Sequence, residues 1–221
     1  MATLTFHGAT RQVTGSCYLL ETTHSRVLIE CGLFQGPPEV DRLNERAFPF
    51  KPRDIHAVVL SHAHLDHSGL LPRLKREGFK GKVYATTQAL ELLDIMLKDA
   101  AHIQEKDTEW ENRRRERAGD KLIAPLYTLP DAEAVLELGE PLVYGQKARI
   151  AQDIEICLRD AGHILGSAIV ELWVDDDGQQ KKIVFSGDLG NAATPLLRDP
   201  EVVRSADVLL LESTYGDRDL R

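Results

Sequence analysis

The apolar run Ala57-Val58-Val59-Leu60 passes without a break into Ser61-His62-Ala63-His64-Leu65-Asp66-His67-Ser68-Gly69, so a strand-like segment delivers three imidazoles and a carboxylate within six residues. Such a segment must end where the donors begin, and the donors must converge on something. Neutral imidazole and carboxylate are the ligand set that suits zinc and neighbouring divalent ions. A loop that needed only polarity has no reason to concentrate them.

Composition limits what surrounds this stretch. A chain of 221 residues, 43% hydrophobic and 28% charged, buries a full core as one large domain or two small ones. It carries no apolar run of membrane-spanning length, and its start, Met1-Ala2-Thr3-Leu4-Thr5-Phe6-His7, lacks the basic and then apolar order of a secretory signal. The expected address is the cytoplasm, with no membrane partner. Cys17, Cys31 and Cys157 are odd in number and widely spaced, which fits reduced core thiols rather than a disulfide framework. A formal charge of −8 argues against affinity for nucleic acid through overall basicity. It leaves a phosphodiester substrate open, because bound divalent cations reverse the potential where a phosphate would sit.

Short strands are expected at Thr3 to His7, Cys17 to Thr22, Val27 to Glu30 and His56 to Leu60, each rich in β-branched and apolar residues. Leu90, Leu93, Leu97 and Ala101 mark one face of a helix over Thr86 to His102, and Gln104 to Ala118 reads as a second, highly charged helix. Its Arg113-Arg114-Arg115-Glu116-Arg117 run reads as a solvated face, although it could meet an RNA backbone. A short helix follows over Pro130 to Leu138. Strands return at Ala148 to Ala151, Ile154 to Asp160, Ala168 to Val174, Ile183 to Ser186 and Val208 to Leu211, with a hairpin turn at Asp175-Asp176-Asp177-Gly178. This order suggests an α/β sandwich, two sheets with helices outside.

Two later segments repeat the pattern of a strand ending in a donor beside glycine: Asp160-Ala161-Gly162-His163 and Val184-Phe185-Ser186-Gly187-Asp188. Together with His62, His64, Asp66 and His67 they resemble the metallo-β-lactamase superfamily, whose signature is His-X-His-X-Asp-His followed by a distant His and a distant Asp. Ile29-Glu30-Cys31-Gly32, Asp160 to Gly166, Phe185 to Gly190 and Leu211-Glu212-Ser213-Thr214-Tyr215-Gly216 are similar to the β-CASP branch. Within it the chain resembles RNA-processing nucleases related to the mRNA 3′-end cleavage endonuclease and its bacterial counterparts. The resemblance runs from Thr5 to Asp217.

The resemblance implies an αββα sandwich of two packed mixed sheets with helices outside, incomplete at its C-terminus. Residues 1–210 would be the N-terminal part of the metallo-β-lactamase domain and 211–221 the start of a β-CASP domain. It implies that His62, His64 and His163 hold one zinc, that Asp66 and His67 belong to a second, and that Asp188 bridges them. Glu30 would orient a ligand imidazole, in a position where the family usually has Asp. Asp66 and Asp188 would be catalytic as well as ligands. Glu212 would be catalytic as partner of a histidine that protonates the leaving group. That histidine and one further ligand of the second zinc lie, in the family, beyond a segment matching this chain. His7, His24, His56 and His102 are isolated from other donors and read as ordinary core or surface residues.

The leading function is a two-zinc ribonuclease. Two alternatives stay open: a small-molecule metallo-hydrolase of thioesters or lactones, which the same fold hosts, and a non-catalytic subunit that associates with itself or with a C-terminal partner half.

Overall fold

The computed structural model describes residues 2–176 and 178–218. Among the described residues eleven strands form two sheets. The first contains β1 (Thr3–Phe6), β2 (Tyr18–Glu21), β3 (Arg26–Ile29), β4 (Ala57–Val59), β5 (Lys82–Thr86) and β6 (Gly139–Leu142), in that spatial order. The first two pairings are antiparallel and the remaining three parallel. Parallel neighbours need crossovers, and these carry the helices: α1 (Pro38–Asp41), α2 (Leu65–Ser68), α3 (Leu71–Arg76), α4 (Thr87–Ala118) and α5 (Leu129–Leu136). The second sheet orders as β11 (Val208–Leu210), β10 (Gln179–Phe185), β9 (Ala168–Asp176), β8 (Ile154–Asp160) and β7 (Lys147–Ala151). Only its β10–β11 pairing is parallel.

The two-residue period of a strand divides the core into layers. Leu20, Val27, Ile29, Ala57 and Val59 point between the sheets and meet Ile154, Ile156, Leu158, Val170, Leu172 and Phe185. Their neighbours Leu19, Leu28, Val58, Val83 and Ala85 point the other way and pack beneath Leu71, Leu74, Leu93, Leu97 and Val135 of the helices. The expected two-sheet sandwich is what the chain builds, and the described helices cover the outer face of the first sheet. On the outer face of the second, Ala161, Ile169 and Val184 pack with Leu189 and Val203. All three cysteines are buried and free, as expected.

Two strands, β5 and β6, were not expected from the sequence, and one helix differs from expectation. Thr87 to Ala118 is one continuous helix of 32 residues rather than two, because no Gly or Pro interrupts it between His102 and Gln104. Thr86 caps its start by accepting from Ala89 N, and Gly119, at φ +75°, ends it. The arginine run is internally paired, with Arg113 2.5 Å from Glu109 and Arg115 3.1 Å from Glu111, which fits a solvated face. β9 and β10 form the expected hairpin, in which Asp175 Oδ1 accepts from Gly178 N; Asp177 of the turn lies outside the described residues. Among the described residues no helix is long and apolar enough to cross a membrane.

Ile156 is fully buried between the sheets, so Ile156→Ala is expected to destabilise the fold by about 2–5 kcal/mol. Ile95→Ala, at a side chain 66% exposed on α4, should stay within about 0.5 kcal/mol. Urea unfolding midpoints measure both.

Candidate metal centre

The donors collect at one edge of the sandwich because of strand direction. The C-terminal ends of β4, β8, β10 and β11 and the N-terminal end of β9 meet there, and Ala168 N donates to Ser61 O at 2.8 Å across the two sheets. His62 and His64 follow β4, Asp66 and His67 lie on α2, His163 follows β8 and Asp188 follows β10. Glycine is required just before the last two. Gly162 has φ +63° and Gly187 φ +55°, a region that residues with a Cβ avoid, and a Cβ on Gly187 would lie 2.7 Å from that of Ser61. His163 is further held by Ser167, whose Oγ accepts from the backbone N of His163 at 3.0 Å and of Ile164 at 3.2 Å.

His62, His64, His163 and Asp188 each offer one donor atom to a common point. His62 Nε2 lies 3.0 Å from His64 Nδ1, and His64 Nδ1 lies 3.3 Å from His163 Nε2. Asp188 Oδ2 stands 3.7 Å from His62 Nε2 and 3.6 Å from His163 Nε2. A tetrahedral ion with bonds of about 2.0–2.2 Å needs donors roughly 3.3–3.6 Å apart, so the residues fit a small divalent cation. The other oxygen of Asp188 is 3.4 Å from His67 Nε2, and Asp66 Oδ2 is 3.6 Å from that same nitrogen. Asp188 therefore stands between the first donor group and His67, whereas Asp66 lies outside the groups whose donor atoms converge.

Glu30 prepares the imidazoles for this task. Its carboxylate is fully buried and accepts from Ser61 N at 2.5 Å, from Ser61 Oγ at 3.1 Å and from His67 Nδ1 at 2.6 Å. Nδ1 of His67 thus carries the hydrogen and Nε2 faces Asp66 and Asp188. Ser61 gives its hydroxyl hydrogen to Glu30, so its Oγ accepts from His62 Nδ1 at 2.9 Å and leaves Nε2 of His62 with a free lone pair. One carboxylate fixes two tautomers. Glu30 reaches the imidazole of His67, and Ser61, not singled out from sequence, joins the same carboxylate to the imidazole of His62. Its signal was its place directly before His62 at the end of β4.

Electrostatics prepare His62, His64 and Asp188 for a cation. Burial, reinforced by the neighbouring His67, pushes His62 down to about 2, and burial and His163 lower His64, so both present lone pairs at neutral pH. Burial alone would raise Asp188, but the hydrogen bond and charge of His67 outweigh it and hold the carboxyl at about 2. Burial would likewise lower His67, but its bonds to Asp188 and Glu30 prevail and hold it up at about 10, so a cation binding beside His67 would have to displace the Nε2 proton.

Glu212 lies at the same edge and lines the cavity above the centre; it accepts from Leu189 N and Thr214 N, each at 3.2 Å. His24, His56 and His102 stay outside both donor groups, as does His7. His56 Nδ1 instead accepts from Arg26 N at 2.9 Å.

Replacing Glu30 by Ala would leave two buried N–H groups, on Ser61 and His67, without acceptors. Metal affinity is expected to fall by about 10–100-fold, measured by competition against a chelator. Glu30→Asp should fall between, and equal affinities for all three proteins would contradict the assignment.

The Metallo-beta-lactamase superfamily profile matches residues 10–143. Ribonuclease TTHA0252 of Thermus thermophilus is 40% identical over 96% of this chain, and Transcription termination factor FttA of Methanococcus maripaludis is 35% identical over 97%. The chain spans 43% of the length of the first and 32% of the second. Among solved structures, a HARLDQ-motif mutant of a metallo-beta-lactamase from Cronobacter sakazakii shares the fold with a TM-score of 0.50 at 24% identity, covering 83% of this chain and 61% of the other. Family, fold and donor geometry agree, and the chain belongs to the metallo-beta-lactamase superfamily, with the divalent-metal binding that this implies.

Proposed function

We propose that this chain is the N-terminal, metal-binding part of a β-CASP ribonuclease that hydrolyses RNA phosphodiester bonds with two zinc ions. The observation that carries the reading is Asp188, whose two oxygens face His62 and His163 on one side and His67 on the other. A carboxylate so placed suits a bridge between two cations. The relatives support RNA as the substrate class, since one is named a ribonuclease and is 40% identical along nearly the whole chain.

In this reading His62, His64 and His163 hold the first ion, Asp66 and His67 serve the second, and Asp188 serves both. Two divalent ions supply a nucleophile at neutral pH and neutralise charge on the phosphoryl oxygens. The chain's own groups do the positioning. Glu30 keeps a hydrogen of His62 and of His67 on Nδ1, directly or through Ser61, so that Nε2 is the nitrogen each ring would offer to an ion, on His67 after loss of its second proton. Glu212, held by two backbone N–H groups in the cavity wall, would orient the group that protonates the leaving oxygen. Residues 1–210 form the metallo-β-lactamase part and 211–221 begin the β-CASP segment. RNA is the partner, self-association or pairing with a C-terminal half completes the cleft, and the cytoplasm is the site of action.

Elemental analysis of protein purified without added metal, together with RNA cleavage, tests this reading. His163→Ala is expected to lose the first ion and to lower cleavage by about a hundredfold or more. Cleavage is to be assayed alone and with the remainder of the Thermus thermophilus relative added in trans. Metal-loaded protein that cuts no RNA under either condition would overturn the reading.

A further inference from the structure

The cavity over the metal centre, of 590 Å³, is acidic at its floor and has one permanently cationic side chain among its described lining residues, Arg11. Asp188 and Glu212 line the same space. A strand of RNA brings one negative charge per nucleotide, and cations at the floor can meet only the phosphate being cut. The next phosphate along the strand enters a cavity of carboxylates unless the wall supplies a positive group.

Arg11 lines that wall. It is exposed, and among the described residues its guanidinium makes no ion pair or hydrogen bond. Its loop is nevertheless defined. Ala9 N donates to Thr14 O at 3.2 Å, Thr14 Oγ1 donates to Leu33 O at 3.0 Å, and Gln35 N donates back to Thr14 Oγ1 at 3.0 Å. Within it Ala9 and Arg11 take φ +48° and +61°, conformations that residues with a Cβ adopt rarely and that persist only where the surroundings impose them. A pinned, turned loop that holds an arginine in the wall of this cavity is built to present that arginine. Phe6, 52% exposed, and Val13, 63% exposed, flank it in the same cavity and offer an apolar face to a base.

We propose that Arg11 clamps a phosphate flanking the scissile one, and thereby selects a polynucleotide strand over a small ester at this centre. The inference rests on the ribonuclease reading and deepens it. The guanidinium fork matches two phosphate oxygens, a geometry that an ammonium cannot reproduce. Arg11 is a positioning and specificity residue rather than a metal ligand, so its loss should leave the ions in place.

The test compares the zinc-loaded chain with Arg11→Ala and Arg11→Lys, reading the affinity for a short fluorescein-labelled single-stranded RNA by anisotropy between about 50 and 200 mM salt. Arg11→Ala is expected to weaken binding about tenfold at low salt and to reduce the slope of log affinity against log salt by about 0.7. Arg11→Lys should retain the slope and part of the affinity, and metal content and thermal midpoint should match those of the parent. Equal affinity and slope in Arg11→Ala, with RNA still cut by the parent, would overturn the clamp and leave the ribonuclease reading intact. If the parent neither binds nor cuts RNA, that reading falls, and tripolyphosphate binding decides the clamp. Weaker tripolyphosphate binding by Arg11→Ala would keep Arg11 as a phosphate site for another substrate, whereas equal binding would overturn it.

Discussion

A fully buried carboxylate at Glu30 is the constraint on which the centre depends. Removing a charged oxygen pair from water is costly unless donors replace the lost solvent. Here three do, from two residues. Ser61 stands at the end of β4 and His67 on α2, so the carboxylate joins the end of β3 to both elements. Backbone bonds follow the same path, with Glu30 N donating to Val59 O and Cys31 N to His67 O, at 2.9 and 2.8 Å. The imidazoles are therefore oriented by the fold and not by an ion. Metal binding then needs little reorganisation.

The opposing wall works by a different means. His163 and Asp188 come from the second sheet, on turns shaped by Gly162 and Gly187, and reach the first sheet's donors only because the two sheets are joined at this edge. Half of the site depends on hydrogen bonds within one sheet, and half on how the sheets pack. The inter-sheet layer of Leu20, Val59, Ile156 and Leu158 thus has a functional role as well as a stabilising one, because its thickness fixes the separation of His62 from Asp188. Interiors packed this densely transmit displacement instead of absorbing it.

The donors were legible because ligand chemistry is local: His62, His64, Asp66 and His67 sit in one short motif, and His163 and Asp188 each follow a strand and a glycine. Strand alternation likewise disclosed β1 to β4 and β7 to β11. β5 and β6 escaped detection for physical reasons. Lys82 to Thr86 runs directly into the helix that Thr86 caps, and Gly139-Glu140-Pro141-Leu142 carries a Gly and a Pro that argue against a strand until its place at a sheet edge is known. The single long α4 was divided because its apolar face ends near Ala101 while its backbone continues. Ser61 was invisible as a relay, since its role depends on a buried carboxylate thirty-one positions earlier. Arg11 likewise gained meaning only from the cavity it faces.

Among the described residues, positive φ outside glycine is confined to the segments between strands. Those residues are Ala9, Arg11, Glu30, Ala193 and Leu196. The first two turn the loop that lines the cavity, the third carries the orienting carboxylate, and the last two lie in the segment following Asp188. No strand of either sheet contains one. Each such conformation costs on the order of 1–3 kcal/mol and survives only where its neighbours leave no alternative. A uniform sandwich would have no use for that cost. At Ala9, Arg11 and Glu30 that cost falls on segments that line the cavity or orient an imidazole, so the regular strands supply the stability against which these segments are held.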